Sequence, residues 1–357
     1  MSMDVEQSIK GFVKVKRNNE ILPGFRIYQS LVYSYFIFKK LITYNPDFLL
    51  VTSGNLTELP KLMAERTIVY VHGLHFPTNL EKLPPLLQQD YTSKIWKRLY
   101  IQLYHFISKN IDYDNDIDFS YIKKGTIIAN SNYIRNAIKK VWNIDSTVIY
   151  PPCPQNSFTL EDKIKKIEKN DTEMMTVCTL SRFVPEKEYD TILQIAKHRP
   201  QLKFELIGNV ADTKFYNSYL DSLKNKASEN VTFHVNATEN QKIKILKRSK
   251  ILVHSCKGEA FGIALIDAMS AGLIPISHNS GAPKEDNIVE EKFRYNDLDS
   301  ALNCLDKAVE EWNLDKASQL RQYAQNFSIE NYNKNLKLFI TNWIETNSHL
   351  FKKTENE

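Results

Sequence analysis

The chain has 357 residues, 42% of them hydrophobic and 25% charged, with a formal net charge of +5. That length accommodates two domains with a core each, and the composition is that of an ordinary globular protein. So modest a charge argues against a nucleic-acid binder and suits smaller anionic partners such as phosphates or acidic lipid headgroups. The four cysteines, Cys153, Cys178, Cys256 and Cys304, lack any C-x-x-C spacing. Free thiols in a reducing, cytoplasmic compartment are therefore expected, and a zinc site is not. Residues 1–20 are polar and no apolar run is long enough to cross a bilayer. No signal peptide is expected, and any membrane contact is expected to be peripheral.

In chain order, a short strand over Gly11–Val15 and a turn at Pro23-Gly24 precede Arg26–Tyr44, an aromatic helix candidate best taken as core. A strand at Phe48–Val51 follows, and another at Arg66–Val71 runs into His72-Gly73. A histidine at the carboxyl end of a buried strand either faces a cleft or is simply structural. Residues 91–110 place Ile95, Trp96, Leu99, Leu103, Phe106 and Ile107 on one helical stripe flanked by Lys94, Lys97, Arg98 and Lys109. That pattern suits a helix covering a sheet, or one lying in a membrane interface. Asp112–Asp118 is acid-rich but lacks the glycine and terminal glutamate of a calcium loop, so it reads as a solvated loop without metal. The strand Thr126–Ala129 then meets Asn130-Ser131-Asn132, a cap for a helix over Tyr133–Trp142.

Residues 154–171 are polar and lysine-rich and read as a linker. The expected layout is an N-terminal domain over 1–153, a second domain over 172–327, and a last helix in 328–357 that crosses back to the first. In the second domain a strand at Met175–Leu180 leads into a turn bracketed by Arg182 and Lys187. Those cations are either a surface pair or a clamp for a diphosphate. Strands follow at Leu202–Gly208 and Val231–Val235, then a helix over Gln241–Ser249. Ile251–Val253 is a buried strand, Phe261–Met269 a helix stopped by Gly272, and Leu273–Ser277 a further strand before the glycine turn Asn279–Pro283. The alternation predicts a parallel sheet with polar groups gathered at the carboxyl ends of its strands. Backbone amides at Ala260, Phe261 and Gly262 would face an anion, and Gly262 would let it approach closely. Glu259 and Asp267 stand eight residues apart, which puts both carboxylates on roughly one helical face. A capped helix with an exposed acid is the alternative.

Glu259, Phe261, Gly262, Ala268, Met269 and Gly272 resemble the E-x-F-G-x-x-x-x-E-A-M-x-x-G signature of retaining glycosyltransferases of family 4, with Asp267 replacing the second glutamate. The segment HNSGAPKED at 278–286 resembles HNSGGPK in the family's α-1,2-mannosyltransferases that extend lipid-linked oligosaccharide. Similar to other segments of that branch are Arg182–Lys187 (R-x-x-P-E-K), Tyr70-Val71-His72, and the pair ANSN (129–132) and VIYPPC (148–153). His254, five residues before Glu259, also has a counterpart.

The resemblance implies an α/β fold of the GT-B type, with two Rossmann-like domains facing a cleft. Against that family the first domain reads as shortened, because the opening strand and glycine-rich loop have no counterpart; a misassigned start, a partner chain's contribution and a reduced sheet are the alternatives. It also implies a nucleotide-sugar donor, GDP-mannose favoured, a glycan or lipid-linked acceptor, and neither cofactor nor metal. Arg182, Lys187 and the helix start at Phe261 and Gly262 would hold the diphosphate, with His254 nearby and Asp267 on the ribose. Glu259 and His72 would orient the sugar. A lipid-linked acceptor implies work at the cytoplasmic membrane face, and a partner chain could complete the first domain. A non-catalytic sugar-nucleotide-binding subunit and an epimerase of the same fold remain alternatives.

Overall fold

The computed structural model describes residues 46–52, 65–73, 126–153 and 175–351. The expectations for 26–44, 91–110, 112–118 and 154–171 lie outside the described residues. The chain divides into two compact units: Met1–Tyr70, Phe76–Ile127 and Ser348–Glu357 form one, Val71–His75 and Ile128–Asn347 the other.

The first sheet has four strands in chain order, β1 (Leu49–Val51), β2 (Thr67–Val71), β3 (Thr126–Ala129) and β4 (Thr147–Val148). β1 pairs with β2, and β3 with β4, in parallel. Ile68, Val69, Tyr70, Ile127, Ile128 and Ala129 are all buried, as unbroken apolar runs in a parallel sheet should be. The second sheet has six: β5 (Thr176–Leu180), β6 (Lys203–Gly208), β7 (Val231–Val235), β8 (Ile251–His254), β9 (Ile274–His278) and β10 (Arg294–Tyr295). Their order is β10-β9-β8-β5-β6-β7, and every pairing is parallel. Chain order therefore reverses between the neighbours β5 and β8. The loops leaving their carboxyl ends diverge there, and a doubly wound sheet binds its ligand in the crevice this creates.

Parallel neighbours need crossovers, and helices supply them. After α1 (Asn132–Trp142) come α2 (Tyr189–His198), α3 (Lys214–Lys226), α4 (Glu239–Arg248), α5 (Ile263–Ser270), the single turn α6 (Ala282–Glu285), α7 (Leu298–Glu311), α8 (Leu314–Ala324) and α9 (Ile329–Thr346). α2 packs on α7, and α5 on α8. Between them and the strands lies one apolar core, with Ile192 and Ile195 of α2, Leu265 and Ile266 of α5 and Leu305 of α7 fully buried. Polar staples hold the layers in register. Asn230 Nδ2 donates to the carbonyls of Ala196 (3.0 Å) and Leu202 (2.9 Å), and Trp312 Nε1 donates to Gly272 O at 2.9 Å. Glu205, fully buried on β6, is met by Arg248 and by Lys203 at 2.9 Å. Burial opposes its ionisation, but those cations outweigh it and hold the carboxyl below its ordinary value.

Gly208 ends β6 where the turn after β5 crosses it. A Cβ at that position would stand 2.1 Å from the Ser181 carbonyl oxygen and 3.0 Å from the Phe183 ring. The first contact is with backbone, so the strand end itself must move. Gly208→Ala is expected to destabilise the fold by about 1–3 kcal/mol, read as a lower urea midpoint at unchanged slope.

Candidate active site

The turn after β5 is shaped by what it buries. Phe183 is fully buried, its ring 4.9 Å from Tyr189 and 5.8 Å from Phe233, and its amide donates to Asn209 O at 2.9 Å. With Phe183 sunk against Tyr189 and Phe233, Pro185–Lys187 form one 3-10 turn, proline at its start. Glu188 ends it in the left-handed region at φ 48° and leads directly into α2. Lys187 is thereby presented above the carboxyl end of β5. Arg182, on the same turn, is exposed, and no hydrogen bond or ion pair engages its side chain among the described residues.

The turn after β8 meets it. His254 is the last residue of β8, and α5 begins at Ile263 with Gly262 as its cap at φ 99°. This corrects the expected helix start at Phe261. Phe261 instead points into the core, its ring 5.8 Å from Tyr150 and 5.5 Å from Phe327. The amides left without intrahelical acceptors at this tip are thus those of the turn around Ile263 and Ala264, rather than Ala260 and Phe261. Glu259, expected to precede the helix, does so by four residues, so helical spacing alone does not set its carboxylate relative to Asp267.

Glu259 joins the two turns. Its Oε2 accepts from Lys187 Nζ at 2.7 Å and lies 2.9 Å from His254 Nε2, with side-chain exposures of 16%, 19% and 4% for Glu259, Lys187 and His254. Ser255 Oγ donates to the Lys187 carbonyl, and Lys257 pairs with Glu188 at 2.9 Å. Burial disfavours the Glu259 carboxylate, but the hydrogen bond and charge of His254 and the Lys187 ammonium outweigh it and hold the carboxyl far below its ordinary range. Burial likewise opposes the Lys187 charge, and Glu259 more than compensates, so Lys187 is raised.

Of the expected site residues, the structure brings Lys187, His254 and Glu259 into one cluster. Asp267 is elsewhere on α5 and 14% exposed, its Oδ2 3.7 Å from Lys242 Nζ of α4. Burial raises its carboxyl, and Lys242 opposes that rise. His72 is exposed at the end of β2, and its carbonyl accepts from Asn130 Nδ2 at 2.8 Å. A Cβ on the following Gly73 would lie 4.0 Å from that of Ala260, so this turn stands beside the Glu259 turn.

Three participants were not foreseen. Lys242 carries no local signal, being one of several lysines on a helix. Ser280 accepts from Gly258 N at 2.9 Å and lies within the segment 278–286 that sequence reading had singled out. Cys256 brings its Sγ 3.4 Å from Lys187 Nζ. With His254 and Glu259 it forms a set of possible metal ligands, the donor atoms all within 4.8 Å of one another. The cation already among them is the Lys187 ammonium. Burial and Glu259 push the Cys256 thiol up, and the neighbouring Lys187 ammonium opposes that rise.

Residues 161–327 match the model of a family described as glycosyl transferases group 1. A "GDP-Man:Man(3)GlcNAc(2)-PP-Dol alpha-1,2-mannosyltransferase" of Xenopus laevis is 30% identical over 176 residues, 46% of this chain and 36% of that protein. The protein of the same description from Homo sapiens is 26% identical over 219 residues, 57% and 42% of the two chains. The chain thus spans less than half the length of these curated relatives. Among solved structures, a glycosyltransferase from Rickettsia africae ESF-5 gives a TM-score of 0.63 at 16% identity, covering 99% of this chain and 88% of that one. Sucrose-phosphate synthase from Thermosynechococcus elongatus gives 0.67 at 14%, covering 91% and 81%. That family segment lies over the second sheet and its site, so this part of the chain is similar to the glycosyl transferases of group 1, and the chain shares the α/β fold of the two solved glycosyltransferase structures.

Proposed function

We propose that this protein is a retaining, metal-independent glycosyltransferase that moves mannose from GDP-mannose to a lipid-linked glycan. The observation that carries the reading is the Lys187 ammonium, set 2.7 Å from Glu259 at the carboxyl ends of β5 and β8 and on the turn that also bears Arg182. Donor and acceptor are supported by the description of the mannosyltransferase relatives. A donor diphosphate would take Lys187 from Glu259, add Arg182, and rest on the amides that open α5, where the helix dipole favours negative charge. Asp267 would accept from ribose hydroxyls, and His254 would keep its bond to Glu259.

Glu259, released from Lys187, and His72 would then orient the mannose as positive charge develops at its anomeric carbon. The bond from that carbon to the phosphate oxygen breaks, and the bond to the acceptor oxygen forms on the same face. The acceptor's hydroxyl proton passes to the departing phosphate, so no protein nucleophile is required. The membrane face would be met peripherally, through residues 91–110. No helix among the described residues is long and apolar enough to cross a bilayer.

The direct test is a thermal-shift screen of GDP- and UDP-sugars, followed by mannosyl transfer to a lipid-linked oligosaccharide. GDP-mannose is expected to raise the melting temperature most, since a ligand that binds only the folded state stabilises it. Lys187→Ala and Arg182→Ala are each expected to lower kcat/KM by about a hundredfold to a thousandfold, as removal of one charge stabiliser does. Equal shifts from every nucleotide sugar, or full activity in Lys187→Ala, would overturn the proposal.

The ion pair also fixes a pH dependence of stability. Glu259 is depressed when folded, so its contribution is complete above the ordinary glutamate value of 4.5 and is lost as pH falls below it toward the folded value. Lys187 is raised, so its contribution is complete below 10.5 and is lost as pH rises through the folded value. Glu259→Gln should therefore cost about 3 kcal/mol near neutral pH. The gap to wild type should close on acidification, as measured by urea unfolding across pH.

A further inference from the structure

The turn that carries Glu259 is held by groups that no step of the transfer uses. Ser131 Oγ donates to the Ala260 carbonyl at 2.6 Å, while its neighbour Asn130 donates from Nδ2 to His72 O at 2.8 Å and from its amide to Val71 O at 3.1 Å. Two consecutive residues thus grip the residue after Glu259 on one side and His72 on the other. They can do so because they open α1, where Ser131 is the N-cap and its Oγ accepts from Ile134 N at 3.1 Å. The next amides of that helix start need acceptors of their own. Asp286 provides them, with Oδ1 accepting from Asn132 N (2.7 Å) and Asn132 Nδ2 (2.8 Å), and Oδ2 from Tyr133 N (3.2 Å).

Asp286 is itself delivered from the Glu259 turn. Ala282, first residue of α6, donates its amide to Glu259 O at 2.9 Å, and the Asp286 amide donates to Ala282 O at 2.9 Å. The bonds close a ring that runs from Glu259 through Ala282 and Asp286 to Asn132, then through Ser131 to Ala260, the neighbour of Glu259. We infer that Asp286 is a positioning residue of the transferase, the link that closes this ring and sets His72 against Glu259. It bonds to neither of them and acts through the start of α1. The inference rests on the proposed function, which gives His72 and Glu259 their shared substrate.

The test uses Asp286→Ala and Asp286→Asn in the full chain, with three readouts: GDP-mannose affinity by calorimetry, mannosyl-transfer kinetics, and amide hydrogen exchange. Asp286→Ala is expected to leave the GDP-mannose Kd within about twofold and to lower kcat by about tenfold to a hundredfold, the effect of misplacing groups at the reacting centre. Exchange should accelerate at 131–134 and also at 258–262. Asp286→Asn keeps one acceptor for the Asn132 amide and should recover part of kcat; it reports alone should the alanine variant not fold. An unchanged kcat, a donor affinity that falls in step with kcat, or faster exchange confined to 131–134 would each overturn the inference. Should wild type transfer no mannose, the functional reading fails instead, and linked exchange in the two segments still decides whether the ring exists.

Discussion

The site depends on a single ion pair, Lys187 Nζ to Glu259 Oε2, formed between residues 72 apart in sequence. Both charges are largely removed from water, which costs several kcal/mol for each ion, and attraction offsets this only where geometry is good and remaining groups are satisfied. Here they are. His254 adds a second bond to the same carboxylate oxygen, and Ser255 holds the Lys187 backbone from the opposing turn. Such a pair adds little to stability compared with an apolar contact of the same size. What it does is fasten the turns after β5 and β8 to each other at the one place in the sheet where strand order reverses.

On the proposed reading the pair also sets what the site accepts. Lys187 is already neutralised, so an anionic ligand must compete with Glu259 for it. A single carboxylate brings the charge that Glu259 already supplies and gains little by exchange. A diphosphate brings more, and on the proposed reading it also meets the exposed Arg182 and the amides opening α5, neither of which Glu259 reaches. Exchange then runs toward the ligand, and it frees the Glu259 carboxylate in the same event. On the proposed reading, selection for a diphosphate and release of the carboxylate that would orient the sugar follow from one competition.

The second sheet was legible because its strands are short, largely apolar runs punctuated by glycine and polar turns. Each of Val177-Cys178, Phe204–Ile207 and Ile251–Val253 lies buried where that pattern put it. The start of α5 was not, because the residue that looked helical, Phe261, is drawn into an aromatic cluster with Tyr150 and Phe327. Gly262 then absorbs the change of direction at a φ that disfavours other residues. The partner of Asp267 was invisible for another reason: Lys242 comes from α4, and only the packing of helices decides which of its lysines faces α5. Asp286 was quoted as the end of a motif, but its cap on α1 spans 154 residues and has no local signature.

The glycine of that motif has a firmer explanation. Gly281 holds φ 68°, and a Cβ there would lie 2.5 Å from the Glu259 carbonyl oxygen and 2.6 Å from its nitrogen. The segment after β9 therefore touches the turn after β8 backbone to backbone, with no side chain between. Ser280 completes the contact by accepting from Gly258 N. The Glu259 backbone is thus fixed by main-chain contacts and the Ala282 bond, which leave it little freedom. Lys187 differs, since its charge sits at the end of a flexible four-carbon stem on a single 3-10 turn. When the pair opens, the ammonium is the part that can travel, and the carboxylate stays where the backbone holds it.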